Sequence, residues 1–169
     1  PDNDVYVNIY TNSTASIRTS SLNFTLDQIT NMPLSGSVKL RFNNLKPNTP
    51  LRLHLRMPDW LNMRQGCLRS FVGTDSLMPS IFVNGHEIEN FKVDEKGYVT
   101  IDRTWNALDE VYFDIPLQMQ RIVVNNTKKN VQPEGVFNCN NIGWQFGPLV
   151  YQLEAPGYFV LPTWHPLID

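Results

Sequence analysis

The chain has no long hydrophobic run; its apolar stretches fall well short of the roughly 20 residues that a membrane-crossing helix needs. It also lacks a charge bias. Against 14 Lys and Arg stand 16 Asp and Glu, a net charge of −2. No basic field is there to hold nucleic acid or anionic lipid. Cysteine is scarce: Cys67 and Cys139 are the only two, and one disulfide or two inert thiols fit that count equally. Without a CxxC pair or clustered histidines, a structural zinc site is not indicated. His54, His86 and His165 have no ligand partner at a recognisable spacing. A nucleophile-elbow pattern is missing too, so nothing supports a serine triad. No signal-peptide pattern opens the sequence: PDNDVYVNIY begins directly on a strand-like pattern, as expected if a leader has been removed or, the preferred reading, if this is a piece cut from a longer polypeptide. A periplasmic or secreted location is preferred slightly over a cytoplasmic one.

What is present is alternation. At 169 residues, with 41% hydrophobic and 11% aromatic residues, the chain suits one ordered domain, 1–169, with a single core. Val5, Val7 and Ile9 alternate with Tyr6, Asn8 and Tyr10, and Asn12-Ser13-Thr14 interrupts that first strand. Leu22, Phe24 and Leu26 start a second face, continued through Ile29. After a turn at 33–36, Val38, Leu40 and Phe42 alternate with Lys39, Arg41 and Asn43. The clearest strand sets Leu51, Leu53, Leu55 and Met57 inward against Arg52, His54 and Arg56 outward, and Pro58-Asp59-Trp60 ends it.

From 62 to 79 the period dissolves, as in an insertion or a functional loop. Ile81-Phe82-Val83 runs into Asn84-Gly85, the strongest short hairpin signal. The stretch 97–122 then reads as one antiparallel unit. Tyr98 to Ile101 form a strand, 103–109 a turn-bearing connection, and Val111, Phe113 and Ile115 the face of a second strand. Pro116 ends that strand or marks a bulge, because proline cannot donate to a ladder. Beyond it Leu117, Met119 and Arg121 alternate with Gln118, Gln120 and Ile122. Residues 125–141 read as an asparagine-rich loop, 149–153 as a last, well-covered strand, and 155–169 as an extended tail. About ten short strands, no fixed repeat and no sustained helical period predict an all-β fold, an antiparallel β-sandwich of jelly-roll-like arrangement.

The order of motifs resembles the C-terminal part of glycoside hydrolase family 127, the β-L-arabinofuranosidase-like group. The matching pieces are Leu55-Arg56-Met57-Pro58-Asp59-Trp60, Val83-Asn84-Gly85, Gly97 to Trp105, Pro116 to Arg121, and Gly147 to Tyr151. They cover most of the chain in the family's order. Two departures stand out: Leu108-Asp109 where Gly-Asp is usual, and a longer 62–79 segment. The resemblance implies that catalysis belongs to an N-terminal (α/α)6 barrel absent from this chain. There a cysteine nucleophile, further cysteines and a glutamate surround a zinc ion. Neither Cys67 nor Cys139 falls in a matching motif, so no catalytic or metal residue is carried over and no cofactor is expected in this chain.

The leading expectation is therefore a non-catalytic sandwich that packs on and stabilises that barrel, with homo-oligomer contacts an added option. A carbohydrate-binding module recognising plant-type glycans is the alternative. Trp60 and Trp105 sit in structural motifs and read first as core residues, whereas Trp144 and Trp164, in a loop and the tail, are the candidates for stacking on sugar. The acidic pairs Glu87 with Glu89 and Asp94 with Glu95 could in principle serve as a glycosidase acid and base. They fall in hairpin turns, where solvated carboxylates are the ordinary outcome. Three sequons, at Asn12, Asn23 and Asn125, matter only in a host that glycosylates. An enzyme in its own right is the third and least supported reading.

Overall fold

Strand β5, Thr49–Arg56, buries Leu51, Leu53 and Leu55 completely while its arginines and His54 face outward. The period-two pattern of the sequence is thus the pleat itself. The computed structural model describes residues 3–61, 69–72, 78–124 and 142–151. In it β5 is the middle of a three-stranded sheet. It pairs antiparallel with β9, Tyr98–Trp105, and parallel with β1, Asp4–Val7. The second sheet has six antiparallel strands in the order β2 (Ser13–Arg18), β3 (Asn23–Thr30), β4 (Ser37–Asn43), β10 (Glu110–Asp114), β7 (Ser80–Val83) and β8 (His86–Glu87). Their inner faces meet in one core. Phe42 of β4 lies 4.6 Å, centroid to centroid, from Trp105 of β9, and Phe24 lies 5.6 Å from Phe42. Trp105 is fully buried, and its Nε1–H donates to the Leu51 carbonyl at 3.0 Å, so the indole leaves no polar atom unpaired. The expected all-β sandwich is what forms.

One pole of the sandwich explains why separated motifs travel together. Asn84 and Gly85 both take positive φ, 51° and 80°, as a tight hairpin requires. The Asn84 side chain then donates to Asp109 Oδ1 at 2.9 Å and accepts from the Glu110 amide at 2.8 Å. Asp109 Oδ2 in turn accepts from the Asn106 amide at 2.8 Å. Val83-Asn84-Gly85 and the residues after Trp105 are two halves of one hydrogen-bonded corner. Within it Leu108 is held at φ 70° and is 70% exposed. That left-handed position strains any residue with a Cβ and suits glycine. At the other pole Ile115 donates to the Gly36 carbonyl at 2.9 Å; a Cβ on Gly36 would lie 1.6 Å from the Ile115 oxygen, so the close approach needs glycine.

Several expectations change. The stretch 97–122 is not one antiparallel unit. Strand β9 runs on through Trp105 in the first sheet, and the 106–109 connection crosses to the second, where β10 lies between β4 and β7. Within the Asn12-Ser13-Thr14 interruption regular structure resumes at Ser13 as β2, a polar edge strand in which only Ile17 is partly buried. Ile9 is 75% exposed because β1 stops at Val7. On β3 the pleat overrides hydrophobicity: Gln28 and Thr30 follow Leu26 inward, and Ile29 is 54% exposed. The polar pair is accommodated by Gln28 Nε2 donating to the Ile9 and Thr11 carbonyls and Thr30 Oγ1 to that of Ser37.

A third, four-stranded sheet has the order β13 (Leu149–Tyr151), β12 (Ile142–Phe146), β11 (Met119–Val124) and β6 (Arg69–Val72). Strand β6 arises inside 62–79, where irregular chain was expected, because β11 offers it an antiparallel partner. The final strand is an exposed edge rather than a covered one: Val150 is 71% and Tyr151 47% exposed. Cys67, Cys139, Asn125, Trp164, His165, the 125–141 loop and the 155–169 tail lie outside the described residues.

Candidate functional site

The outward row on β5 gathers the densest polar cluster among the described residues. Parallel pairing of β1 with β5 sets Tyr6 opposite His54 and Asp4 opposite Arg52. His54 is clasped between Asp4, with Nε2 to Oδ1 at 3.1 Å, and Thr100 of β9, with Nδ1 to Oγ1 at 2.9 Å. An ionised carboxylate only accepts, so in the neutral imidazole Nε2 carries the proton and Nδ1 accepts from the Thr100 hydroxyl. Arg52 adds contacts to both Asp4 oxygens, at 2.6 and 2.9 Å. The His54 hydrogen bond, helped by the Arg52 charge, outweighs burial and holds the Asp4 carboxyl below its ordinary range. Tyr6 stacks on the imidazole at 4.2 Å and 8°, and Tyr98 meets Tyr6 edge-on.

Carboxylate, imidazole and hydroxyl in line suggest a proton relay, but the surroundings give them no work of that kind. The His54 side chain is 12% exposed, with the Tyr6 ring over one face. Thr100 stands mid-strand on β9, exposed, and its hydroxyl is engaged with His54 Nδ1. Arg52 and His54 Nε2 tie β5 to Asp4 of β1, His54 Nδ1 ties it to Thr100 of β9, and Arg56 donates to the Lys96 carbonyl. The outward position of His54 was legible; its clasping role was not.

The acidic pairs give no catalytic geometry. Glu87 and Glu89 are exposed in and after β8, and Asp94 Oδ1 accepts from the Tyr98 amide at 2.9 Å, capping a turn beside exposed Glu95. His86 Nδ1 lies 3.1 Å from the Asn84 carbonyl. Among the described residues no group of three or more His, Cys, Asp or Glu could hold a metal ion, and no helix is long and apolar enough to cross a membrane. Trp105 is core, and Trp60 packs partly buried against the core.

Trp144 differs. It lies on β12 rather than in a loop, and is 45% exposed. The register sets it directly opposite Tyr151 of β13, which is 47% exposed, while Met119, 47% exposed, shares that face. On the reverse face Gln120 and Gln145 are buried as cross-strand partners. Met119 therefore marks the open side of β11 and Gln120 the covered side. Tyr151 is a site residue that sequence reasoning missed. The available signal was Gly147-Pro148: a two-residue turn there folds 144–146 onto 149–151 and brings Trp144 to Tyr151.

Comparison with known proteins bears on both regions. Residues 4–117 match the family described as "Beta-L-arabinofuranosidase, GH127 middle domain". This is a middle domain, not the C-terminal part that the motif order suggested. Among solved structures, a GH127 β-arabinofuranosidase superposes over 88% of this chain, with TM-score 0.73 and 24% identity. A GH127 β-L-arabinofuranosidase from Geobacillus stearothermophilus T6 does so over 89%, with TM-score 0.66 and 23% identity. A protein described only as a glycoside hydrolase does so over 88%, with TM-score 0.63 and 19% identity. These likenesses show the fold. The chain spans 22%, 20% and 21% of the three, about a fifth of each. No curated protein sequence matches it.

Proposed function

Because this chain belongs to the GH127 β-L-arabinofuranosidase middle-domain family, we propose that it is the non-catalytic β-sandwich of such a glycoside hydrolase, packing on and stabilising an (α/α)6 catalytic barrel outside this sequence. The observation that carries this reading is the use of its ionisable groups. Asp4, His54, Arg52, Asp109 and Glu110 are engaged in strand clasps and turn caps. Any zinc chemistry of the parent enzyme belongs, on this reading, to the barrel. The half-exposed Met119, Trp144 and Tyr151 strip is then a surface that the parent protein covers. The test is to mix this chain with a separately produced barrel fragment of its parent. Co-elution as a complex, with a raised melting temperature of the barrel, is the expected result. A chain that stays monomeric at high concentration without affinity for the barrel, or that hydrolyses aryl arabinofuranosides alone, overturns the proposal.

The Trp144–Tyr151 pair also favours a second reading, a glycan-binding platform to which Trp164 contributes. Two half-exposed aromatic residues at paired positions of neighbouring strands suit the C–H face of a sugar chain. Titration against arabinan and other plant glycans, with Trp144→Ala and Trp164→Ala as controls, decides it; no heat and no spectral shift for any glycan removes it.

A further inference from the structure

Asn84-Gly85 is the only Asn-Gly pair in the chain, and it is exposed at the tip of the β7–β8 hairpin. An asparagine followed by glycine carries its own cyclisation chemistry. With no side chain on the glycine to obstruct it, the glycine nitrogen can attack the side-chain carbonyl carbon, Cγ, of the asparagine before it. Nothing blocks the turn from outside either. The space within 4 Å of where a Gly85 Cβ would stand is empty, and the Gly85 N–H has no hydrogen-bond partner among the described residues.

The corner with the 106–110 segment restrains that chemistry. The Asn84 amide donates to the Glu110 carbonyl at 2.9 Å, which fixes the backbone. Both polar atoms of the side chain are tied as well, Oδ1 by the Glu110 amide at 2.8 Å and Nδ2 to Asp109 Oδ1 at 2.9 Å. Asp109 is itself held through its other oxygen by the Asn106 amide at 2.8 Å. Attack on Cγ turns a planar amide tetrahedral and expels Nδ2, so it disturbs both side-chain bonds. Nδ2 can leave as ammonia only by gaining a proton, and the carboxylate beside it accepts rather than donates.

We propose that Asn84 is a latent deamidation site that the Asp109–Glu110 corner keeps closed, so that opening of this pole is recorded as a covalent change. In the step, the Gly85 nitrogen gives its proton to solvent base and bonds to Asn84 Cγ. The Cγ–Nδ2 bond breaks, and ammonia leaves with a proton taken from water. A second water opens the cyclic imide at either carbonyl and leaves aspartate or isoaspartate at position 84. Neither product rebuilds the corner. Aspartate sets a carboxylate against Asp109 where a donor stood. Isoaspartate lengthens the backbone of a two-residue turn whose geometry fixes the register of its strands.

The test is peptide mapping with an isoaspartate assay on the full chain held in mildly alkaline buffer, both native and unfolded in urea. Deamidation at Asn84 should be about tenfold or more slower in the native chain, the scale of two hydrogen bonds given up to react. Asp109→Ala should speed the native reaction about fivefold or more while circular dichroism still shows the folded sandwich. Asp109→Asn is the variant that spares the fold, because its oxygen can keep the Asn106 amide while its NH2 group offers Asn84 no acceptor. It should speed the reaction likewise. Equal rates in the native and unfolded chain overturn the proposal, as does a native rate unchanged in both variants or the absence of isoaspartate at position 84 in either state.

Discussion

The sandwich and the third sheet follow opposite rules. Inside the sandwich the buried faces are apolar, and its inward-pointing Gln28 and Thr30 reach backbone carbonyls. The third sheet covers Gln120, whose amide oxygen and nitrogen both lack a partner, while it leaves Met119, Trp144 and Tyr151 half exposed. The sandwich rests on one continuous apolar core in which Gln28 is partly satisfied, whereas the third sheet buries Gln120 with no partner among the described residues.

The sharpest way to break this contrast is to delete a tryptophan from each region. Trp105→Ala removes a fully buried indole and its bond to Leu51, and should lower unfolding stability by about 3–5 kcal/mol. Trp144→Ala removes a half-exposed ring and should cost less than about 1 kcal/mol. Urea unfolding of both variants measures the difference; equal losses would mean that the third sheet shares the core's energetics. A smaller effect of opposite sign tests the covered face. Gln120→Leu replaces an orphaned amide by a hydrocarbon of similar size, and should stabilise the isolated chain by about 1–2 kcal/mol. A loss of that size instead would show that Gln120 is satisfied in solution.

Legibility divides along the same line. Strands β4, β5, β7 and β10 each alternate strictly, so the pattern of Val38-Leu40-Phe42 or Leu51-Leu53-Leu55 announces both strand and core face. Periodicity reveals that a strand exists but not which sheet takes it, which is why β9 and β10 read as one unit. Strand β2, with its sequence STASIR, carries no alternation because an edge strand needs none. Strand β6 exists by virtue of a partner some fifty residues away, β11, and no local signal marks it. Of the candidate sites, Trp144 was readable as an aromatic with no core motif around it. The Asp4–His54 clasp was not, since it depends on a parallel pairing across fifty residues of sequence.

Among the described residues Leu108 is the only one at positive φ that is neither glycine nor asparagine. The residue is exposed at φ 70°, so its side chain contributes little packing while the left-handed backbone strains it. Leu108→Gly should raise stability by about 1 kcal/mol, read as a shift of the urea midpoint at constant slope. An unchanged midpoint would mean that the added freedom of glycine in the unfolded chain offsets the relieved strain.

The smallest predicted effect is a dependence on acid that belongs to the sandwich rather than to the third sheet, because the ion pairs among the described residues all lie on the sandwich. Asp4 and Glu110 have carboxyl groups lowered from ordinary values of 3.8 and 4.5, the first mainly by the His54 bond, the second by bonds from Lys39 and Arg41. A carboxyl whose folded pKa lies below its unfolded one binds its proton more weakly when folded. Its stabilisation is present above the unfolded value and fades as pH falls through the folded one. Stability should therefore decline from about pH 5 downward, and Asp4→Asn should flatten part of that decline while lowering stability near neutrality. Unfolding curves for the two proteins at several pH values measure it. Parallel slopes would show that the clasp of β1 on β5 does not depend on the Asp4 charge, and the outer face of the sandwich would then rest on the Tyr6–His54 stack and the backbone ladder alone.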